Sequence, residues 1–182
     1  MFRLIFFAII LVPLELVSQE LDGNNYSILS TIDKIEIRTY DTLLLVGFSN
    51  SFGKRSNNFK ELAKYIFGAN EVAEKIPMTS PVIINLFDNE SMFFILPPDY
   101  KQKPIPKPNN LAINLAMHVP SKKAVLKYSG YTNSNTEQKK IKQLKEILEN
   151  NSIKHNNKFQ LFVYDSPYKI FNRRNEIAVN LR

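Results

Sequence analysis

The sequence predicts an α+β fold, with two βαββ pseudo-repeats joining their strands into a distorted β-barrel or curved sheet flanked by two helices. Three observations predict it. Strand-like and helix-like periodicities alternate along the chain, and the order strand, helix, strand, strand occurs twice, with helix centres near residues 62 and 142. Each βαββ unit has one apolar sheet face and one apolar helix stripe, which two units can bury together. The repeat is one of architecture, without clear residue identity. The length, 182 residues, suits one domain that can bury roughly 70% of its unfolded surface without cross-links.

The first segment reads as a signal peptide over residues 1–18, leaving a domain over 19–182. Arg3 precedes an uncharged run from Leu4 to Leu14, about eleven residues and so inside the roughly 7–15 of an h-region, and Ser18 is small enough for cleavage before Gln19. Retention as an anchor is the alternative. The run is shorter than the roughly 20 residues that span a bilayer and Pro13 interrupts it, so no stable membrane insertion is expected after cleavage. Removing Arg3 together with Glu15 leaves the net charge at +7. The protein is therefore expected outside the cytoplasm, periplasmic or secreted, and as a monomer.

From Ile28 to Phe48, Ile35 and Ile37 alternate with Glu36 and Arg38 before the apolar Leu43-Leu44-Leu45-Val46, which predicts two strands with a turn near Asp41-Thr42. Phe59, Leu62, Ala63 and Ile66 recur at helical spacing, with Asn57 or Asn58 to cap the start and Gly68 to end it. Pro81 to Phe87 and Met92 to Leu96 flank Asp88-Asn89-Glu90, a hairpin signal. The proline-rich bridge from Pro97 to Pro108 suits a stiff connector. Strands are expected at Leu111–Val119 and Ala124–Tyr131, a second helix over Asn135–Glu149, and a last strand pair at Phe159–Tyr164 and Glu176–Leu181. The second helix carries Ile141, Leu144, Ile147 and Leu148 on one face and Lys139, Lys140, Lys142 and Lys145 around the remainder.

Composition excludes several chemistries. The chain has no cysteine, which rules out disulfide scaffolds, iron–sulfur clusters, thiolate haem ligation, cysteine-rich zinc sites and cysteine nucleophiles. There is no GxSxG, no HExxH and no phosphate-cradling glycine loop. The helix lysines lack interleaved aromatic residues, which argues against nucleic acid, and a solvated helix face explains them better than an acidic surface does. Of the two histidines, His155 sits in a polar loop. His118 alternates away from the apolar set Ile113, Leu115, Met117 and Val119; it is a surface residue if its face meets solvent, and a possible ligand for a metal or haem iron if that face lines a cleft.

Four segments carry a resemblance: Ile76-Pro77-Met78-Thr79-Ser80-Pro81-Val82, Met92-Phe93-Phe94-Ile95-Leu96-Pro97, Tyr128-Ser129-Gly130-Tyr131, and Tyr164-Asp165-Ser166-Pro167 leading to Arg173-Arg174-Asn175-Glu176. In this order and spacing they resemble the SOUL haem-binding protein family from about Ile28 to Leu181, with Lys64-Tyr65 matching the end of its first helix. The resemblance implies a non-enzymatic tetrapyrrole-binding protein with a distorted β-barrel flanked by two helices. It implies haem or another porphyrin bound reversibly in a shallow apolar groove, by Phe59, Ala63 and Lys64 on the first helix and Lys169 before Arg173. A flat macrocycle gains by covering apolar surface, and its carboxylates need cations at the edge. Phe59 reads equally as core packing, and the two lysines as solvated surface. No histidine lies in or near the first helix, so the ring face and carboxylates would do the holding, with weak iron ligation or none.

The repeat also resembles the effector-binding domains of multidrug regulators, where a carboxylate in the cleft receives cationic drugs. That makes a general small-molecule binding module the alternative function, with Glu176 as its carboxylate. Alternation along the last strand puts Glu176 beside Arg174, and the expectation is that it is already paired.

Overall fold

The fold is described from a computed structural model over residues 26–50, 54–88, 90–166 and 168–182. The signal peptide expected at 1–18 lies outside the described residues. Nine strands, β1 (Tyr26–Ile32), β2 (Ile35–Tyr40), β3 (Leu43–Phe48), β4 (Val82–Asn85), β5 (Met92–Ile95), β6 (Asn114–His118), β7 (Ser121–Ser129), β8 (His155–Val163) and β9 (Arg174–Leu181), accompany two helices, α1 (Arg55–Ile66) and α2 (Ser134–Asn150). The strands form one antiparallel sheet in the order β1-β2-β7-β9-β8-β4-β5-β3-β6. The architecture is α+β, but the sheet is open and not a closed barrel: β1 pairs with β2 alone and β6 with β3 alone.

Alternation separates the two faces of this sheet. One face carries Ile35, Ile37, Val46, Phe94, Ala124, Leu126, Leu161, Ile177 and Val179 into a core shared with Leu62, Tyr65 and Ile66 of α1 and Ile141, Leu144 and Leu148 of α2. The other carries Tyr40, Leu45, Ile83, Val125, Phe162 and Ala178 into a separate cluster without helical residues. Both helices therefore sit on one side. Each fully buried leucine there contributes about 1.5–3 kcal/mol relative to exposure. The two helix starts are tied together: Arg55 donates to both carboxylate oxygens of Glu137 at 2.7 and 2.8 Å and to Glu90 at 2.7 Å, linking α1, α2 and the β4–β5 hairpin.

Several element boundaries differ from expectation for local reasons. The stretch from Ile28 to Phe48 is three strands, because Asp33 adopts a left-handed φ of 50° and opens a tight turn before Ile35. Helix α1 begins at Arg55, with Lys54 at its cap position; Asn58 is buried and spends its side-chain amide on the Glu90 carbonyl at 3.1 Å, so it does not cap. Gly68, at φ 110°, does end the helix, and its N–H reaches the Tyr65 carbonyl. On the edge strand β6, Leu115, Met117 and Val119 are solvent-exposed, the reverse of the expected core face. Helix α1 packs on β3 and β5, and among the described residues no helix covers that side of β6. The proline-rich connector is pinned by the Tyr65 hydroxyl, which donates to the Pro106 carbonyl at 2.8 Å.

Gly47 on β3 faces Phe93 in register on β5. A Cβ at position 47 would lie 2.5 Å from the Phe93 ring, so the ring rests on the bare backbone of that glycine. Gly47→Ala should therefore destabilise the protein by about 1–3 kcal/mol in urea unfolding while leaving the far-UV circular dichroism unchanged.

Candidate functional site

On the helix-free face the central strands bring polar and aromatic side chains together. Register places Arg38 of β2 opposite Lys123 of β7, and Lys127 of β7 and Phe162 of β8 on either side of Glu176. Glu176 is fully buried. Arg38 grips it with both terminal nitrogens, Nη1 to Oε2 at 2.8 Å and Nη2 to Oε1 at 3.0 Å. Arg174 adds Nε and Nη2 on Oε1 at 3.1 and 2.9 Å, and the Tyr164 hydroxyl donates to Oε2 at 3.0 Å. Arg38 itself is fully buried and also donates to Glu36 at 2.8 Å and to the Tyr40 hydroxyl at 3.0 Å. Burial opposes the Arg38 charge, but Glu176 more than offsets this and leaves its pKa raised. Aromatic rings close the cluster, with Tyr26 4.1 Å from the Arg38 guanidinium and Tyr164 3.8 Å from that of Arg174.

Beside this cluster lies a cavity of about 180 Å³ whose walls include Leu45, Ile83, Phe93, Phe162, Tyr26 and Tyr40, with Lys123, Gln160 and His118 supplying polar groups. Glu176 does not reach it. Lys123 is 1% exposed and donates to Gln160 Oε1 at 2.9 Å and Asn180 Oδ1 at 2.5 Å, both neutral acceptors. Burial without a carboxylate partner pulls its pKa down to about 8. His118 is held below its usual value, to about 4, by burial first and then by Lys123; it is neutral at pH 7 and its Nε2 shares a hydrogen bond of 3.0 Å with Ser121. It faces a space smaller than the roughly 300–1,000 Å³ of sites for drug-sized ligands, and the helix-side groove lies on the other face of the sheet. His155 sits at the start of β8, where its Nδ1 accepts from the Asn157 N–H at 3.1 Å. Among the described residues no group of His, Asp and Glu side chains is arranged to hold a metal ion.

The residues expected to hold a macrocycle are on the helix side. Phe59 on α1 is 37% exposed and meets Phe94 edge-on at 5.3 Å, so it is both a packing residue and part of the surface. Ala63 lies one turn on, half-buried. Lys64 pairs with Glu61 at 2.7 Å. Lys169 sits apart from these three on the β8–β9 loop, where it pairs with Asp165 at 2.6 Å. Next to α1, register carries Leu115 beside Val46 and Met117 beside Leu44, extending the helix-side face as an apolar strip that is 44% and 63% exposed at these two residues. It leads to an open depression of about 490 Å³ bordered by Leu44, Ile105, Met117, Lys101 and Lys103. Sequence reasoning missed Arg38, Lys123, Tyr26 and Tyr40. Their only signal is polar or aromatic character at alternating strand positions, which a solvent-facing strand shows as well.

The quoted motifs have visible structural roles. Arg173 clips the β8–β9 loop through the carbonyls of Ser166 and Lys169 at 2.9 and 2.8 Å, and Asn175 donates to the Gly130 carbonyl at 2.7 Å. Thr79 donates to the Ile95 carbonyl at 2.5 Å. The family model described as SOUL heme-binding protein matches residues 21–180, and the chain belongs to that family. Comparison with curated proteins gives no match. Among solved structures, the chain is similar to the EcmrR C-terminal domain at 11% identity and TM-score 0.59, covering 86% of this chain and 98% of that one. It is also similar to a Listeria innocua protein described as a hydrolase, at 8% identity and TM-score 0.55, covering 85% and 94%. At such identities these likenesses show the fold alone.

Two outcomes follow from the buried charges. Glu176→Gln leaves the buried Arg38 cation with Glu36 as its one carboxylate partner among the described residues and should cost about 3–5 kcal/mol in urea unfolding, whereas Arg38→Met combined with Glu176→Leu should recover most of that loss. Lys123 has a folded pKa near 8, below the roughly 10.4 of an unfolded lysine, so the unfolded chain binds more protons between these values. Wild-type stability should therefore rise with pH across pH 8–10 relative to Lys123→Met, approaching about 3 kcal/mol in total. A flat difference between the two proteins would contradict that assignment.

Proposed function

We propose that this SOUL-family chain binds haem or a related porphyrin reversibly and without catalysis, in the shallow apolar groove along α1, as a carrier, buffer or scavenger outside the cytoplasm. The observation that carries the reading is apolar surface left open on the helix side of the sheet in a chain of this family: the part-exposed Phe59 and Ala63 on α1, and the exposed Leu115 and Met117 on β6. A porphyrin face laid there removes aromatic and aliphatic surface from water on both sides. Lys64 and Lys169 serve the propionates. Lys64 is now held by the part-exposed Glu61, a kind of pair worth only about 0–1 kcal/mol, so exchange for a propionate is cheap; Lys169 is held by the more covered Asp165. Lys101 and Lys103 border the depression beyond Met117 and offer a second basic edge.

Iron ligation plays no part in this reading, because neutral His118 faces the other side of the sheet. Residues 1–18 act as the export signal in it, and the mature chain works as a monomer. A pseudo-repeat of the two halves is supported by the strand order, in which β3 neighbours β5 and β5 neighbours β4, as β7 neighbours β9 and β9 neighbours β8. A general small-molecule module is the second reading, and the cavity on the helix-free face is what favours it.

Titration of the mature protein with haemin and with metal-free protoporphyrin should give saturable binding of similar strength for both. Phe59→Ser and Met117→Asp should each weaken it about tenfold, while His118→Ala leaves it unchanged. Absence of saturable binding by either porphyrin removes the proposal, and loss of haemin binding alone in His118→Ala would restore iron ligation.

A further inference from the structure

The helix-free cavity has a donor and charge inventory of its own. Lys123 has three N–H donors, of which Gln160 and Asn180 take two. The Tyr40 hydroxyl accepts from Arg38 and the Tyr26 hydroxyl from Arg174, and among the described residues no acceptor takes the proton of either. Both tyrosines line the cavity beside Lys123. The buried carboxylate of this face, Glu176, is outside the lining and saturated by Arg38, Arg174 and Tyr164. A second carboxylate, Asp88, is reached from Lys123 only through the amides of Gln160 and Asn85, which bond to each other at 2.9 Å. His118 is neutral. The space thus holds one buried cation, spare hydroxyl protons and no acceptor with a negative charge. A cationic guest would meet repulsion, and an anionic one would meet unsatisfied donors at low dielectric.

The walls set the rest of the ligand. Phe93, Ile83 and Phe162 stand in one register row across β5, β4 and β8, an apolar floor one ring wide. The volume of about 180 Å³ is a little above the roughly 150 Å³ that takes benzene in an apolar protein cavity. We infer that this cavity is a binding site for a small, single-ring aromatic carboxylate, its ring on the Phe93–Ile83–Phe162 row and its carboxylate at the Lys123 ammonium. The site is independent of the porphyrin groove, since it lies on the opposite face of the sheet and shares none of its residues except Met117 at the rim.

Calorimetric titration with benzoate, benzamide and benzylamine separates charge from shape. Benzoate should bind saturably, at least tenfold more tightly than benzamide, and the benzylammonium ion should not bind. Lys123→Met should abolish the preference for benzoate over benzamide without lowering the melting temperature, and Ile83→Phe, which fills the cavity, should remove both ligands. Haemin binding should be unaltered by saturating benzoate and by Lys123→Met, so failure at either face is read separately. Preference for benzylammonium, no benzoate binding by the wild type, or a benzoate preference that survives Lys123→Met would each overturn the inference.

Discussion

The buried pairing of Arg38 with Glu176 is the constraint on which the helix-free face depends. It joins β2 to β9 across the intervening β7, and through Arg174, Tyr26 and Tyr164 it reaches β1 and the end of β8. A carboxylate and two guanidiniums on one face of a sheet are tolerable only when every donor and acceptor is matched. The bidentate fork, the second arginine and the tyrosine hydroxyl do that matching, and three aromatic rings then exclude water. Such a cluster gives little net stability over apolar packing, yet losing one member is costly. It fixes the register of the strands around it more than it strengthens them.

That same cluster decides what the adjoining cavity can attract. An unpaired carboxylate facing the open side of the sheet would attract a cationic guest. Here Glu176 is spent internally, and among the described residues the one charged group left at the cavity wall is Lys123. The electrostatic sense of the face is set by which strand neighbour a charged residue finds, since Arg38 and Lys123 are register partners of the same sign. The sheet therefore offers two chemically different surfaces: a flat, uncovered apolar strip with lysines on the helix side, and a small basic pocket on the other. Their volumes, about 490 and about 180 Å³, differ, and Met117 alone borders both.

Much of this was legible in the sequence where periodicity and burial coincide. Helix α2 was readable because Ile141, Leu144 and Leu148 lie at helical spacing and are buried, and the β4–β5 hairpin because two β-branched or aromatic runs flank a polar turn. The pairing of Glu176 with Arg174 was readable from their two-residue spacing. Arg38 was not, because a charged residue alternating with Ile35 and Ile37 looks like the solvent side of a two-faced strand. Only the long-range pairing of β2 with β7 places it 2.8 Å from Glu176. The β6 strand misled for a related reason: alternation identifies two faces but cannot say which is covered, and at a sheet edge the apolar one can be left bare.

The open sheet gives that bare face its meaning. Closing the sheet would pair β6 with β1 and bury both edges; remaining open leaves Leu115 and Met117 as a continuation of the helix-side face with neither described helix above them. Exposed apolar surface is a liability in a chain that needs no partner. Pro120, two residues after β6, and the exposed polar Asn114 limit edge-to-edge pairing there. Lys64, Lys101 and Lys103 stand at the borders of that apolar surface, so the proposed porphyrin binding draws on a bare hydrocarbon face with cations at its rim.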